Sequence, residues 1–281
     1  MVQERQDVRV QQRKHWDAVA AGWGVQGDWI EQNFAPLTEW LRTAGCWRSG
    51  TRVLDVGCGS GYPAIAAAKA IGPSGRVVAT DISPQMLAVA ARRARQAGVG
   101  NIEFVETDAE TLRVDADSFD AITNTYGLMF CPDPERAVAE MRRVLRRGGR
   151  VAIVVWDEPR KNPFFEVMLT AAASLLGLSP PEAGRAGPFR LASPARLGAL
   201  LRGADLLDVV IDSVPMTFES ESVDDYIRMF GDLALKTQMV RLEDDGQLRL
   251  RAAVSDVAQP HVDSQGRLRL QTSSLCGVAR K

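Results

Sequence analysis

Three glycines at alternating positions, Gly57, Gly59 and Gly61, follow the run "RVLDV" and precede the alanine-rich "YPAIAAAKAI". Glycine in that pattern permits a tight strand-to-helix turn and lets a ligand touch backbone amides. Asp55 stands two residues before the first glycine, and two further acids, Asp81 in "VVATDI" and Asp108 in "ETDA", end apolar runs of the same kind. A glycine turn alone fits NAD, FAD or no ligand. The acids narrow the choice. A carboxylate at position 55 repels a pyrophosphate and suits an ammonium group. Asp81, ending a second strand, can accept from both hydroxyls of a ribose. Asp108, ending a third, can accept from an adenine amino group while the amide of Ala109 serves a ring nitrogen. A dinucleotide fingerprint, G-x-G-x-x-G, wants its third glycine where Tyr62 stands. The ligand these residues describe carries adenine, ribose and an amino-acid zwitterion, and no phosphate.

The elements that must position these residues alternate regularly from about residue 51 to 155. "RVLDVG", "GRVVATDI", "IEFVETDA", "FDAITNTYG" and "RVAIVVW" read as buried strands. "YPAIAAAKAI", "SPQMLAVAARRARQAG" and "DPERAVAEMRRVLRRGG" read as helices, with Ser83 and Asp133 as N-caps, Pro84 and Pro134 at first helical positions and glycines at the ends. Strict alternation predicts parallel pairing with right-handed crossovers, hence a doubly wound α/β sheet. After Trp156 the alternation stops. Two late strands, "LLDVVIDSVPMTFES" and "GRLRLQTSSLCGVARK", lack a simple crossover, so an antiparallel pair is expected at one sheet edge. Segments 157–190 and 221–260 then insert over the sheet as lids. Residues 1–50, with Trp16, Trp23, Trp29, Trp40 and Trp47, form a helical cap before the main domain, 51–281.

With these residues in place, the chain resembles the class I S-adenosylmethionine (SAM)-dependent methyltransferases. "VLDVGCGSG" resembles their first motif, "VVATDIS" their ribose-binding strand, "TDAETL" their adenine segment and "LRRGGRVAIV" the turn into strand five. "SFDAITNTYGLMFCPDPERAVAEMRRVLRRGG" is similar to the small-molecule branch that includes the ubiquinone/menaquinone C-methyltransferases. The resemblance implies a Rossmann-like seven-stranded sheet of order 3-2-1-4-5-7-6 with strand 7 antiparallel. It also implies SAM as cofactor and S-adenosylhomocysteine as product. The expected cofactor lining is Asp55, Gly57, Cys58, Gly59, Gly61, Asp81, Ile82, Met86, Asp108, Ala109, Asn124 and Thr125. The branch typically carries an F-G-L-R-N-like segment after strand four; here "YGLMF" puts Met129 and Phe130 in place of the polar pair, which argues against a quinone ring as acceptor.

Methyl transfer by in-line displacement requires an acceptor held about 3 Å from the methyl group, and positioning supplies roughly 7–11 kcal/mol. A base matters only if the nucleophile starts protonated. His15, reaching over the cofactor from the N-terminal cap, and Tyr126 and Asp157, after strands four and five, are the candidate catalytic residues. Tyr126, Met129, Phe164, Phe165, Met168, Met229 and Phe230 are expected to form an apolar, adaptable acceptor pocket. A small, moderately hydrophobic acceptor in secondary or lipid-like metabolism follows. The alternative is a SAM-binding scaffold that catalyses another reaction, such as a cyclisation.

Composition removes other classes. The 281 residues are 46% hydrophobic and 25% charged, with a formal net charge of -1, so no global field attracts nucleic acid or an anionic membrane. Four scattered cysteines and two histidines lack metal-ligand spacing, so no metal is expected. No apolar stretch approaches the roughly 20 residues that span a bilayer, and the polar opening "MVQERQDVRVQQRKHW" does not resemble a secretory signal. These features lead to the expectation of a cytoplasmic protein, either monomer or homodimer.

Overall fold

The computed structural model describes residues 2–178 and 185–281. Three helices come first: α1 (Val2–Val25), α2 (Gly27–Asn33) and α3 (Ala35–Ala44). The alternating region follows as β1 (Arg52–Val56), α4 (Tyr62–Ile71), β2 (Arg76–Asp81), α5 (Pro84–Gln96), β3 (Ile102–Glu106), β4 (Phe119–Thr125), α6 (Pro134–Val144) and β5 (Leu145–Trp156). After it come α7 (Pro163–Leu176), α8 (Pro194–Gly203), β6 (Leu207–Ser220), α9 (Val223–Phe230), α10 (Lys236–Met239), α11 (Asp244–Ala258) and β7 (Leu268–Arg280). A short π-helical stretch, Gly231–Leu235, joins α9 to α10. Residues 179–184, part of the first expected lid, lie outside the described residues.

The strands form one sheet of order β3-β2-β1-β4-β5-β7-β6. The first five are mutually parallel, and β7 runs antiparallel to both β5 and β6. This is the expected topology, antiparallel edge pair included. Four of the five residues of β1 are buried, as a central strand covered on both faces requires. The caps also form as read. Ser83 Oγ accepts from Met86 N at 3.1 Å, and the Asp133 carboxylate accepts from Arg136 N at 3.0 Å.

One boundary differs. The helical pattern reads through Gly149, but α6 ends at Val144. Leu145 pairs with Phe119 and begins β5, with Gly148 at φ +75° in the turn that follows. Leu145 is fully buried. Burying it beside β4 outweighs the weak propensity of "RRGG" to continue a helix. Among the described residues no helix is long and apolar enough to cross a membrane.

Candidate active site

Strand order reverses between β1 and β4, and in an open α/β sheet the crevice beyond the carboxyl ends at that point receives ligands. A cavity of about 360 Å³ opens there. Gly57, Cys58 and Gly59 form its floor, with Asp81 and Ile82 from the end of β2 and Met86 from α5 beside them. Gly59 has φ +51°, and a Cβ on it would meet nothing within 4 Å. Its bare α-carbon therefore leaves room on the cavity side. Gly61 works differently. It does not line the cavity, contrary to its expected place in the cofactor lining. At φ +86° its Cβ would lie 2.9 Å from Ala90 Cβ. Gly61 is glycine so that α5 can pack against the turn.

Asp81 is the brace of this turn. Its Oδ2 accepts from Gly59 N and its Oδ1 from Ser83 N, both at 2.9 Å. A carboxylate has about four acceptor positions, so each oxygen keeps a lone pair for a ligand. Burial pushes the Asp81 carboxyl up to about 6 against the pull of these amides, and the charge of Asp17 adds to the rise.

Asp55 is fully buried behind the turn rather than on the cavity wall. Strand pairing places it between Ala79 and Thr123. Its Oδ1 accepts from Thr123 Oγ1 at 3.0 Å, and its Oδ2 has no partner. Burial pushes its carboxyl up to about 7 over the opposing Thr123 hydrogen bond, and the charge of Asp81 raises it further. The folded chain therefore holds this proton more tightly than the unfolded chain. The stability so contributed is full below about pH 4 and is lost progressively as pH rises to about 7. Asp55→Asn, permanently neutral, removes that loss. The ligand-free variant should melt about 2–4 °C above the parent at pH 8 for each kcal/mol relieved, with the advantage shrinking towards pH 4. A constant or inverted difference across that range would show that the buried charge is not what Asn relieves.

Beyond β3 and β4 the wall continues through Thr107, Asp108, Ala109, Asn124, Thr125 and Tyr126. Asn124 braces two loops: its Nδ2 donates to Val56 O at 2.7 Å and its Oδ1 accepts from Leu128 N at 2.8 Å. Tyr126 sits at φ +57°, rare for a residue with a side chain. Its ring stacks on Trp156 at 4.1 Å, and its hydroxyl bonds Ser274 Oγ at 2.6 Å. Burial pushes this phenol well above its ordinary range, so it stays protonated at neutral pH.

Helix α1 closes the cavity from above with the cap tryptophans Trp16 and Trp23 and with two residues, Arg9 and Gln12, that the sequence alone did not single out. Arg9, Gln12, Trp16 and Trp23, together with the candidate His15, line the wall. Positions 9, 12, 16 and 23 keep three- and four-residue helical spacing or its multiple, and that stripe was the available signal. Val19 and Ala20 pack α1 onto Met86 and Val89 of α5. Trp23 Nε1 donates to Leu233 O at 2.9 Å. Burial lowers the His15 pKa, so the imidazole facing the cavity is neutral near neutral pH.

The far end of the cavity is aromatic. Trp29, Phe34, Phe130, Trp156, Phe164, Phe165 and Phe230 line it with Met129. Phe165 meets Trp156 edge-on at 4.9 Å, and Phe130 meets Trp16 at 5.2 Å. Besides Asp55 and Gly61, three residues expected on the acceptor side are absent from the wall. Met168 and Met229 are buried in the core instead, where the inward stripes of α7 and α9 carry them. Asp157 is not on the cavity either. Its Oδ2 accepts from Ser213 Oγ at 2.8 Å, Ser273 Oγ at 3.0 Å and Lys161 Nζ at 3.0 Å, and its Oδ1 from Glu158 N at 2.7 Å. A carboxylate so saturated ties β5 to β6 and β7; it is a structural clamp.

The residues present fit SAM. The backbone is bare at Gly59, and Asp81 keeps free acceptor positions. Two buried polar atoms on the wall, Thr125 Oγ1 and Gln12 Oε1, have no protein partner, the condition of groups awaiting a ligand.

Comparison with known proteins agrees. The ubiE/COQ5 methyltransferase family matches residues 37–172. The ubiquinone/menaquinone biosynthesis C-methyltransferase UbiE of Hahella chejuensis is 35% identical over 173 residues, 58% of this chain and 68% of that protein. The enzyme of the same name from Pseudomonas putida is 42% identical over 113 residues, 40% of this chain and 44% of that one. A SAM-dependent methyltransferase from Aquifex aeolicus shares the fold, with a TM-score of 0.52 at 23% identity over 66% of this chain and 86% of that one. The glycine turn, the braced Asp81 and these matches agree: the chain belongs to the ubiE/COQ5 methyltransferase family and is a SAM-dependent methyltransferase.

Proposed function

We propose that the protein methylates a small, largely apolar organic acceptor held in the aromatic half of the cavity, as a cytoplasmic enzyme of secondary or lipid-like metabolism. One observation carries this reading: the glycine turn and Asp81 open onto the same cavity as Tyr126, Trp156, Phe164, Phe165 and Phe230. When bound, SAM supplies an electrophilic methyl group. Asp81 holds the ribose hydroxyls, Asp108 and the Ala109 amide hold the purine, and Gly57, Cys58 and Gly59 border the amino-acid end. The aromatic wall orients the acceptor and excludes water, which strengthens every polar contact inside. Neutral His15 takes a proton where the acceptor has one to lose. Among the described residues, segments 2–50, 157–178, 185–190 and 221–260 act as covers.

The named activity of the relatives supports a second reading, C-methylation of a quinol ring. Met129 and Phe130 on the wall favour the first, because they offer a quinol oxygen no side-chain hydrogen bond. Incubation with methyl-labelled SAM, once with a demethylated quinol and once with fractionated cell extract, separates the two. Label in a non-quinone, organic-soluble product is the expected result. Label in the quinol alone favours the second reading. Tight SAM binding with no labelled product in either arm overturns both and points to a non-methylating reaction.

Phe165→Ala is expected to raise acceptor KM or lower kcat by about tenfold while changing SAM affinity by less than about threefold, since a side chain touching only the acceptor adds little to cofactor binding. Met229→Ala, a core truncation, should instead cost roughly 2–5 kcal/mol of stability. Equal losses of cofactor and acceptor binding in Phe165→Ala would place the acceptor elsewhere.

A further inference from the structure

We infer that Arg9, on the N-terminal helix, is a positioning residue for purine recognition: it holds the Asp108 carboxylate in place to read the amino group of the cofactor's base. This rests on the reading of Asp108 as the purine acceptor.

Three acids crowd five residues at the end of β3: Glu106, Asp108 and Glu110. Glu110 is almost fully buried. Its Oε1 accepts from Asp133 N at 2.8 Å, and its Oε2 is paired with Arg9. Asp108 Oδ1 accepts from Glu110 N at 2.9 Å, and Asp108 Oδ2 lies 2.6 Å from Arg9 Nε. One guanidinium thus pairs with two carboxylates: an end nitrogen hydrogen-bonds Glu110, and Nε lies in ionic contact with Asp108 without being aligned as a hydrogen-bond donor to it. Burial alone would lower the Arg9 pKa, but Asp108 and Glu110 raise it above its ordinary value.

Without that charge, Asp108 and buried Glu110 repel each other. Asp108, the more exposed of the two (21% against 1%), is the one free to swing into solvent. Arg9 also lines the cavity, so its charge sits at the edge of the ligand site itself.

The consequence is a link between helix seating and base recognition. Arg9 shares α1 with Gln12, His15 and Trp16 on the cavity wall. Two flanking arginines on the same face, at four-residue spacing, dock the helix without entering the cavity. Arg5 Nη1 lies 2.5 Å from Asp133, and Arg13 Nη2 lies 2.7 Å from Glu106. Arg9 alone converts that docking into an oriented acceptor for the base.

The test compares S-adenosylhomocysteine with S-inosylhomocysteine by calorimetry. In the second, a carbonyl oxygen replaces the amino group and faces the carboxylate as an acceptor against an acceptor. The parent protein is expected to prefer the adenosyl compound by tenfold or more. Asp108→Ala should erase most of that preference. Arg9→Gln, and Arg9→Met as a second variant that keeps the apolar stem, should each cut it at least fivefold, with Arg9→Lys between them and the parent. Arg13→Gln, which loosens the same helix, should leave the ratio unchanged.

If Asp108→Ala keeps the full preference, the purine reading of Asp108 falls and the inference falls with it. If Asp108→Ala loses the preference but a folded Arg9→Gln or Arg9→Met keeps it, while weakening both compounds equally, Arg9 is only a strut and the inference alone is overturned.

Discussion

Replacing Asp81 by alanine is expected to weaken S-adenosylhomocysteine binding at least a hundredfold in a chain that still folds. On the proposed ribose role of Asp81, two charge-assisted hydrogen bonds to the hydroxyls, each worth about 1.5–3 kcal/mol, are removed together. The same carboxylate accepts from Gly59 N and Ser83 N. Its loss therefore also frees the glycine turn and removes one backbone bond near the start of α5. Asp81→Asn keeps the shape but surrenders one acceptor oxygen, and should fall between the two. A pH dependence accompanies this. The ionised carboxylate is the better acceptor, and Asp81 is pushed up to about 6, so parent affinity should decline as pH falls through about 6. Asp81→Asn should lack that component. Calorimetry on both variants, with circular dichroism as the check on folding, decides the matter. Unchanged affinity in Asp81→Ala would remove the ribose assignment.

The second large effect is on stability. Asp157→Ala is expected to cost roughly 2–4 kcal/mol, because several hydrogen bonds to a buried carboxylate, each worth about 1.5–3 kcal/mol at most, are lost while the remaining charge of Lys161 reaches solvent. Lys161 and the Glu158 amide lose this acceptor, and the Ser213 and Ser273 hydroxyls keep only their bond to each other. Cofactor affinity, measured well below the melting temperature, should change by less than about threefold, because Asp157 does not line the cavity. The sign of its pH dependence is opposite to that of Asp55. Burial alone would raise the Asp157 carboxyl, but its hydrogen bonds hold it below the ordinary value. Its contribution is therefore present above about pH 4 and lost as pH falls further. The parent's stability advantage over Asp157→Ala should shrink on acidification below pH 4. Lost turnover with intact stability would restore Asp157 to the catalytic candidates.

Much of the cofactor half was legible from local chemistry. A β-branched run, a glycine turn and a capped, alanine-rich helix each specify a local structure within a dozen residues. Repeating that unit with short connections leaves few topologies. The acids Asp55, Asp81 and Asp108 could be assigned to one edge of the sheet because parallel strands bring all their carboxyl ends to the same side. The two final strands could be read as antiparallel because no crossover helix separates them simply. Two residues inside the motif were exceptions: Asp55, which lies buried behind the turn, and Gly61. The spacing of Gly61 marks it as glycine, but only the approach of Ala90 on α5 shows that the neighbour is a helix rather than a ligand.

The acceptor half was not legible in the same way. Asp157 and Tyr126 both follow strand ends that point at the crevice, and nothing local distinguishes them. The antiparallel β6–β7 pair brings Ser213 and Ser273 to Asp157 and turns it into a clamp, while Tyr126 stays on the wall. Helix α1 is the larger case. Its stripe of Arg9, Gln12, Trp16 and Trp23 is visible as a helical face, but whether that face meets solvent, core or ligand depends on where the helix docks. Docking is decided by residues 60 to more than 200 positions away: Met86 and Val89 on α5, the acids after β3, and the Leu233 carbonyl. Residue type and spacing were enough where neighbours in sequence are neighbours in space. Where contacts close across long stretches of chain, only the packed tertiary structure could say which side chains reach the site.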